Sequence, residues 1–334
     1  MKKYLLPQSG TFYKANLHCH SNVSDGVFSP QEIKEKYKAN GYSIVAYTDH
    51  DVYIPHPELK DDDFLPLNGF EVQINEDKGN DFCMKKTCHI CFVALKPDNY
   101  IHPLWHRSEY VFHNAVNYRD QVKFDETKPD YIRRYNHECI NEMMQIGKDA
   151  GFFVTYNHPS WSMENYNDYM GYNNMHAMEI ANGGSIGLGY MDYSAKEYQD
   201  MLRGGKKIYC IAADDTHGER DMFRGFTMIK AEKLEYEAIT DALLKGNFYS
   251  SEGPLINELW YEDGLLGIEC SDAKSITVYT DNRRIYHKAA QDGETLTSAC
   301  FGIDAVNTYI RVTITDEKGL HADTNAYYLA ELNK

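Results

Sequence analysis

The stretch Asn16-Leu17-His18-Cys19-His20-Ser21-Asn22-Val23-Ser24-Asp25-Gly26, followed by Thr48-Asp49-His50, constrains this chain more than any other. Side chains alternate along an extended segment, so two histidines one residue apart project to one side. Such a pair can grip one cation from a single rigid element. Asp25 follows in a Ser-Asp-Gly turn, and His50 comes just after the apolar run 42–47. Four potential ligands thus gather within the first fifty residues, each at or just past a strand end. A metal site is expected.

The same arrangement recurs downstream. Ser29-Pro30 predicts a helix start, a capping serine followed by proline at the first helical position, and Gly41 predicts its stop. Apolar runs at 64–71, 90–95, 152–158, 178–182 and 207–213 read as strands. They finish in Glu71, His158, Asn182 and Asp215-Thr216-His217, whereas His89 opens its run instead of closing it. Helical spacing is expected over 129–150, 192–203 and 234–245. This strand–helix alternation predicts parallel strands closed or curved into a barrel, with chemistry at their carboxyl ends. Residues 97–129 break the rhythm, and long irregular insertions of this kind serve as lids or binding loops. After Gly253-Pro254 the chain turns to short β-type runs separated by reversals at Asp292-Gly293 and Lys318-Gly319. A domain over 1–253 and a small antiparallel β-sandwich over 254–334 are expected.

Composition narrows the partners. A net charge of −16 argues against a nucleic-acid or anionic-membrane surface, where a basic face is needed. The basic start, Met1-Lys2-Lys3, lacks the apolar core of a signal peptide, and no run approaches a membrane span. Eight scattered cysteines then read as free thiols in a cytoplasmic chain, and the Cys88-x-x-Cys91 pair as incidental.

The candidate ligands are His18, His20, Asp25, His50, Glu71, His89, His158, Asp215 and His217. That is more than one first-row ion needs, so two or three divalent ions, Zn, Mn or Fe, fit better. A carboxylate such as Glu71 can bridge two ions, and ions so close can share a hydroxide that acts as nucleophile. Asp49 and Asp214, beside ligands, are placed to orient an imidazole. His56, His102, His106, His113, His137, His176, His287 and His321 are expected at the surface, with His102 and His106 the ones that the insertion could bring to the pocket.

His18-Cys-His20, Ser24-Asp25-Gly26, Thr48-Asp49-His50, Gly69-Phe70-Glu71, His89, Asn157-His158-Pro159 and Asp215-Thr-His217 resemble, in order, the motifs of the PHP (polymerase and histidinol phosphatase) superfamily. Gly246-Asn-Phe-Tyr-Ser-Ser-Glu-Gly-Pro254, Tyr309-Ile-Arg-Val and Thr324-Asn325 are similar to its CehA/McbA-type branch. The resemblance implies an α/β fold, a distorted (β/α)7 barrel with a trinuclear site, followed here by the β-sandwich. His18, His20, Glu71 and Asp215 would hold one ion. Glu71, His89 and His158 would hold a second, and Asp25, His50 and His217 a third. Asp25 stands where many relatives have His, and its oxygen suits Mn or Fe as well as Zn.

The expected activity is that of a metal-dependent phosphoesterase on a small organic phosphate ester, with Glu71, Asp215 and His217 carrying the catalysis. Arg224 is the first candidate for the phosphate, with Arg107 and Arg203 next, and Asn182 could touch substrate from its strand end. A carboxylic ester or carbamate hydrolase on the same metals is the alternative. A non-catalytic, metal-holding binding protein ranks below both.

Overall fold

In the computed structural model, which describes residues 2–79 and 81–333, the chain is a mixed α/β fold built on one large sheet. Met1 and Lys334, the outer ends of the two expected domains, lie outside the described residues. Thr11–Asn16, Ile44–Tyr47 and Leu65–Asn75 lie side by side in parallel. Thr87–Ala94 reverses direction, and Phe152–Tyr156, Ala177–Asn182 and Tyr209–Ala213 resume the first.

The ladder differs from the closed, parallel barrel expected from the alternation. Among the described residues no ladder joins Tyr209–Ala213 back to Thr11–Asn16. The flank that closure would require is taken by Phe226–Ala231, which pairs antiparallel with Thr11–Asn16. The two ends meet where the Asp214 amide donates to Asn16 Oδ1 (2.9 Å) and, just beyond the strands, at a bridge between Cys19 and Thr216. There the His20 amide donates to the Thr216 carbonyl (2.9 Å) and the Asp215 amide to the His18 carbonyl (3.0 Å). The contact brings the first and last ligand segments together.

One hairpin decides what faces the site. Leu65–Asn75 and Thr87–Ala94 pair with Glu71 opposite Cys91 and Gln73 opposite His89. Phe70, Val72, Ile90 and Phe92 point into the apolar core, while Glu71, Gln73 and His89 line a cavity on the other side. Because the chain reverses here, the start of the second strand lies beside the end of the first. His89, which opens its strand, is thereby brought to a site built at strand ends.

The helix Pro30–Ala39 begins as its sequence predicts, with Ser29 and Glu32 forming a reciprocal capping box. The helix expected from residue 129 starts instead at His137, capped by Asn136. Tertiary contacts hold the preceding residues out of it: Arg133 pairs with buried Asp51 (2.5 Å), and the Tyr135 hydroxyl donates to Glu164 (2.9 Å). The insertion carries a 3-10 segment, His113–Gln121, and packs Trp105, Ala115 and Val122 against Val23 and Val52.

The C-terminal strands form two layers sharing a core that includes Leu259, Ile268, Ile276, Val278, Ile310 and Val312. Ile256–Glu262, Leu265–Ala273 and Leu296–Gly302 make one layer, which the N-terminal strand Lys3–Tyr4 joins. Ser275–Thr280, Tyr309–Thr315 and His321–Thr324 belong to the other. Thr324 pairs with Tyr249, so this second layer continues the large sheet. Among the described residues no helix is long and apolar enough to cross a membrane.

Candidate metal centre

The nine candidate ligands come together at one place. Asp25, His50, Glu71, His89, His158, Asp215 and His217 line a cavity of about 430 Å³. His18 and His20 are fully buried against them. His18 Nε2 lies 3.0 Å from His20 Nε2 and 3.2 Å from both Glu71 Oε1 and Asp215 Oδ1. Glu71 Oε2 faces His50 Nδ1 (3.2 Å) and His89 Nδ1 (3.3 Å), and Glu71 Oε1 faces His158 Nε2 (3.5 Å). Asp25 stands 3.5 Å from His217 Nε2, 3.7 Å from His50 Nε2 and 3.6 Å from His20 Nδ1.

These atoms face common centres more than one another. His20 Nδ1, His50 Nδ1, both ring nitrogens of His89, Glu71 Oε2 and Asp215 Oδ1 are buried without a hydrogen-bond partner among the described residues. Buried polar atoms left in this state are costly unless something else satisfies them. Imidazole and carboxylate donors are the chemistry that Zn, Mn and Fe accept. The residues fit divalent cations. Compact donor groups form around His20, Asp25, His50 and His217, around His18, His158 and Asp215, and around His50, Glu71 and His89.

Electrostatics point the same way. Burial opposes ionisation of Glu71 and Asp215, but His18 and the other imidazoles hold both carboxyls well below the usual range. Burial likewise opposes charge on His158 and His217. The Glu71 and Asp215 carboxylates nevertheless raise His158 to about 9, and Asp25 and Asp215 raise His217 to about 10. Burial, with His20 adding to it, pushes His50 well down. The cluster calls for positive charge. Cys91, beside His18 and Glu71, has its thiol raised by burial to about 12, which keeps it neutral in the metal-free protein.

A shell of buried carboxylates fixes the ligands. Glu179 Oε1 accepts from His18 Nδ1 (2.7 Å), and Oε2 accepts from the His158 amide (3.1 Å) and Asn182 Nδ2 (2.8 Å). With Nδ1–H committed to Glu179, His18 presents a lone pair at Nε2. Sequence reading passed over Glu179; its one signal was a charge inside the otherwise apolar run 178–182. Asp49 gathers the amides and hydroxyls of Ser21 and Ser24 and so folds the turn before Asp25. Asp214 accepts the amides of Phe223, Arg224 and Gly225 and the Tyr37 hydroxyl, tying down the segment after His217. Asp49 and Asp214 thus hold backbone and not an imidazole. His158 and Asp215 adopt φ of 28° and 51°, a left-handed backbone that such contacts sustain. A Cβ on Gly184 would come within 2.9 Å of the Asp214 and Asp215 carbonyls, so glycine lets Gly183–Leu188 approach the ligand loop.

The expected substrate residues lie less centrally. Asn182 caps Gly183–Leu188 and donates to Glu179 and Asp215 (3.3 Å), a supporting position. Arg224 lies outside the cavity lining, with Nε donating to the Arg220 carbonyl (2.9 Å). Arg107 pairs with Asp130 (2.6 Å) beside a separate cavity, and Arg203 reaches Asn282 (3.3 Å). The arginine that lines the metal cavity is Arg220.

Three histidines expected at the surface, His56, His102 and His106, are buried. Each packs its ring on an aromatic neighbour, His102 on Phe70 at 4.1 Å, and neither His102 nor His106 lines the metal cavity. His113 does line it. Sequence also gave no sign of the cavity's walls. Trp161 stands edge-on to His89 (5.3 Å) and His158 (5.1 Å), and Phe112 lies 5.0 Å from His50.

No family model matches the chain. It is 50% identical over 38 residues to a 5'-3' exoribonuclease of Haemophilus influenzae, which is 11% of this chain and 14% of that protein. The chain therefore spans a small part of that curated relative. Among solved structures it is similar to a two-domain protein containing a predicted PHP-like metal-dependent phosphoesterase from Bacteroides vulgatus (14% identity, 98% of this chain and 97% of that one, TM-score 0.46). It is also similar to an amidohydrolase from Chromobacterium violaceum (17% identity, 61% and 88%, TM-score 0.38). A lesion-specific endonuclease from Pyrococcus furiosus is a third such structure (15% identity, 70% and 56%, TM-score 0.40).

Proposed function

We propose that the chain is a metal-dependent hydrolase of the PHP superfamily that acts as a phosphoesterase on a small organic phosphate ester. The observation that carries this reading is the set of buried, hydrogen-bond-orphaned imidazole and carboxylate atoms facing one small-molecule-sized cavity. On the motif resemblance, the large curved sheet corresponds to the distorted PHP barrel. His18, His20, Glu71 and Asp215 would hold one ion, Glu71, His89 and His158 a second, and Asp25, His50 and His217 a third. Such ions would supply Lewis acidity toward a phosphoryl oxygen and a water acidified toward neutral pH, so no Ser or Cys nucleophile is needed.

The rest is the work of the chain's own groups. Glu71 and Asp215 keep their negative charge at neutral pH and fix the spacing of the surrounding imidazoles. Glu179 holds the His18 ring and its tautomer. Arg220, at the cavity, offers N–H donors to an anionic oxygen. Trp161 and Phe112 restrict water at the sides. The chain's net charge of −16 and a lining with one arginine favour a small substrate over nucleic acid.

The test is phosphate release from a panel of mono- and diesters by Mn- and Zn-loaded protein, beside Asp215→Ala. Release by the wild type and not by the variant is expected. Silence from protein that demonstrably carries its metals would overturn the phosphoesterase reading. The apolar walls Trp161, Phe112 and Leu188 favour one second reading, a carboxylic ester or carbamate hydrolase on the same residues. Turnover of aryl esters without turnover of any phosphoester would establish it.

A further inference from the structure

We propose that Arg133 is a positioning residue for the metal centre. Through Asp51 it holds the segments of His50 and Glu71 together, and through Tyr110 it ties them to the seat of the insertion. The proposal rests on the metal-site reading above and adds to it a residue that is not itself a ligand.

The chain leaves His50 through an unusual turn. Asp51 has a φ of 59°, in the left-handed region, and the Val52 amide donates back to the His50 carbonyl (2.8 Å). The Asp51 amide meanwhile donates to the Glu71 carbonyl (2.7 Å), and His50 forms a parallel bridge with Glu71. A non-glycine residue in this conformation persists where its surroundings over-determine it. The position of the His50 ring therefore depends on what holds Asp51.

Arg133 holds it. Its Nη1 lies 2.5 Å from Asp51 Oδ1 and donates to the carbonyl of Gln73 (3.1 Å), two residues beyond Glu71 on the same strand. Both side chains are buried, and among the described residues neither has another ion-pair partner. A buried ion pair is weak evidence for stability, since apolar residues of similar volume often serve as well; its better attested use is to specify one arrangement. Here that arrangement joins the backbone after one ligand to the strand that carries another. The insertion enters through Tyr110, whose ring lies 4.3 Å from the Arg133 guanidinium and whose hydroxyl accepts the Arg133 amide (3.0 Å). Two residues on, Phe112 packs on the His50 ring at 5.0 Å. The insertion thus reaches His50 twice, directly and through Arg133 and Asp51.

Removing one charge would leave the other buried and unpaired, so the main variant of the full chain combines Asp51→Asn with Arg133→Met. Asparagine still tolerates the left-handed backbone. Tyr110→Leu is the second variant. The control, Arg311→Met with Asp323→Asn, removes another buried pair (3.1 Å) in the C-terminal layers. Hydrogen exchange on metal-free protein reads the amides of Asp51, Val52 and Glu71, competition with a chelator reads the Zn affinities, and melting curves check each fold. In the main variant, exchange at these amides about tenfold faster and a last-bound Zn about tenfold weaker are expected. Tyr110→Leu should show a smaller change of the same sign, and the control neither change. Unaltered exchange and Zn affinity in the folded main variant, or equal changes in the control, would overturn the role of Arg133. If the main variant does not fold, Tyr110→Leu decides by the same two readouts. Wild-type protein that takes up no Zn would overturn the metal reading instead, and hydrogen exchange would still judge the clamp.

Discussion

Glu179→Gln offers the sharpest test of how the centre is held. The carboxylate takes three donors: His18 Nδ1–H on one oxygen, and the His158 amide with Asn182 Nδ2 on the other. Glutamine has the same shape but a single acceptor atom. If its carbonyl keeps the His158 and Asn182 donors, its NH2 group confronts the His18 Nδ1–H. Relief then requires His18 to move its proton to Nε2, the nitrogen that faces His20, Glu71 and Asp215. If the amide is reversed, two donors confront the NH2 group instead. Either arrangement removes a ligand or distorts its neighbour. Losses of this kind weaken metal binding about 10–100-fold, or about 1.4–2.8 kcal/mol. Competition against a chromophoric chelator measures the Zn and Mn affinities, and circular dichroism of metal-free protein checks the fold. An unchanged affinity in a folded variant would refute the argument that Glu179 sets the tautomer of His18.

Two further outcomes follow from titration. His158 and His217 lie near 9 and 10 in the metal-free protein, so at pH 7 both hold protons that ligation must expel. Calorimetry in buffers of different ionisation enthalpy should therefore show proton release on metal uptake and an affinity that rises with pH; uptake without release would contradict the assignment of these rings as ligands. Glu164 is raised to about 7 by burial, against the hydrogen bonds it accepts from Tyr156, Tyr172 and Tyr135. The native state then keeps a proton that the unfolded chain loses near 4.5, so this stability is present at acid pH and is lost as pH rises to about 7. The loss amounts to about 3 kcal/mol at most. Urea unfolding of metal-free Glu164→Gln should show a flatter pH profile than wild type across that window, and identical slopes would count against it.

Much of the site was legible because imidazoles and carboxylates at the ends of apolar runs are conspicuous, as are Ser29-Pro30 and Gly41 around the first helix. The strand directions were not. Thr87–Ala94 is buried on both faces, so it lacks the alternation that would distinguish a hairpin partner from a crossover strand. Nor does local sequence reveal that Phe226–Ala231 occupies the edge that a closed barrel would need. The late start of the helix at His137 depends on Asp51 and Glu164, which are remote in the chain. Glu179 and the aromatic walls act through contacts made only on folding. Their residue types are unremarkable where they stand.

The hairpin between Leu65 and Ala94 has a consequence for how such a protein can diversify. Its ladder commits Glu71 and His89 to the cavity and Phe70, Val72, Ile90 and Phe92 to the core, an assignment fixed by the parity of the pairing. Phe82 rides on the connecting turn, outside that ladder. Insertions or deletions in the turn can reshape the cavity rim without disturbing a rung that bears a ligand. The cavity floor is inherited with the ladder, and the shape of the rim is free to drift with the loop.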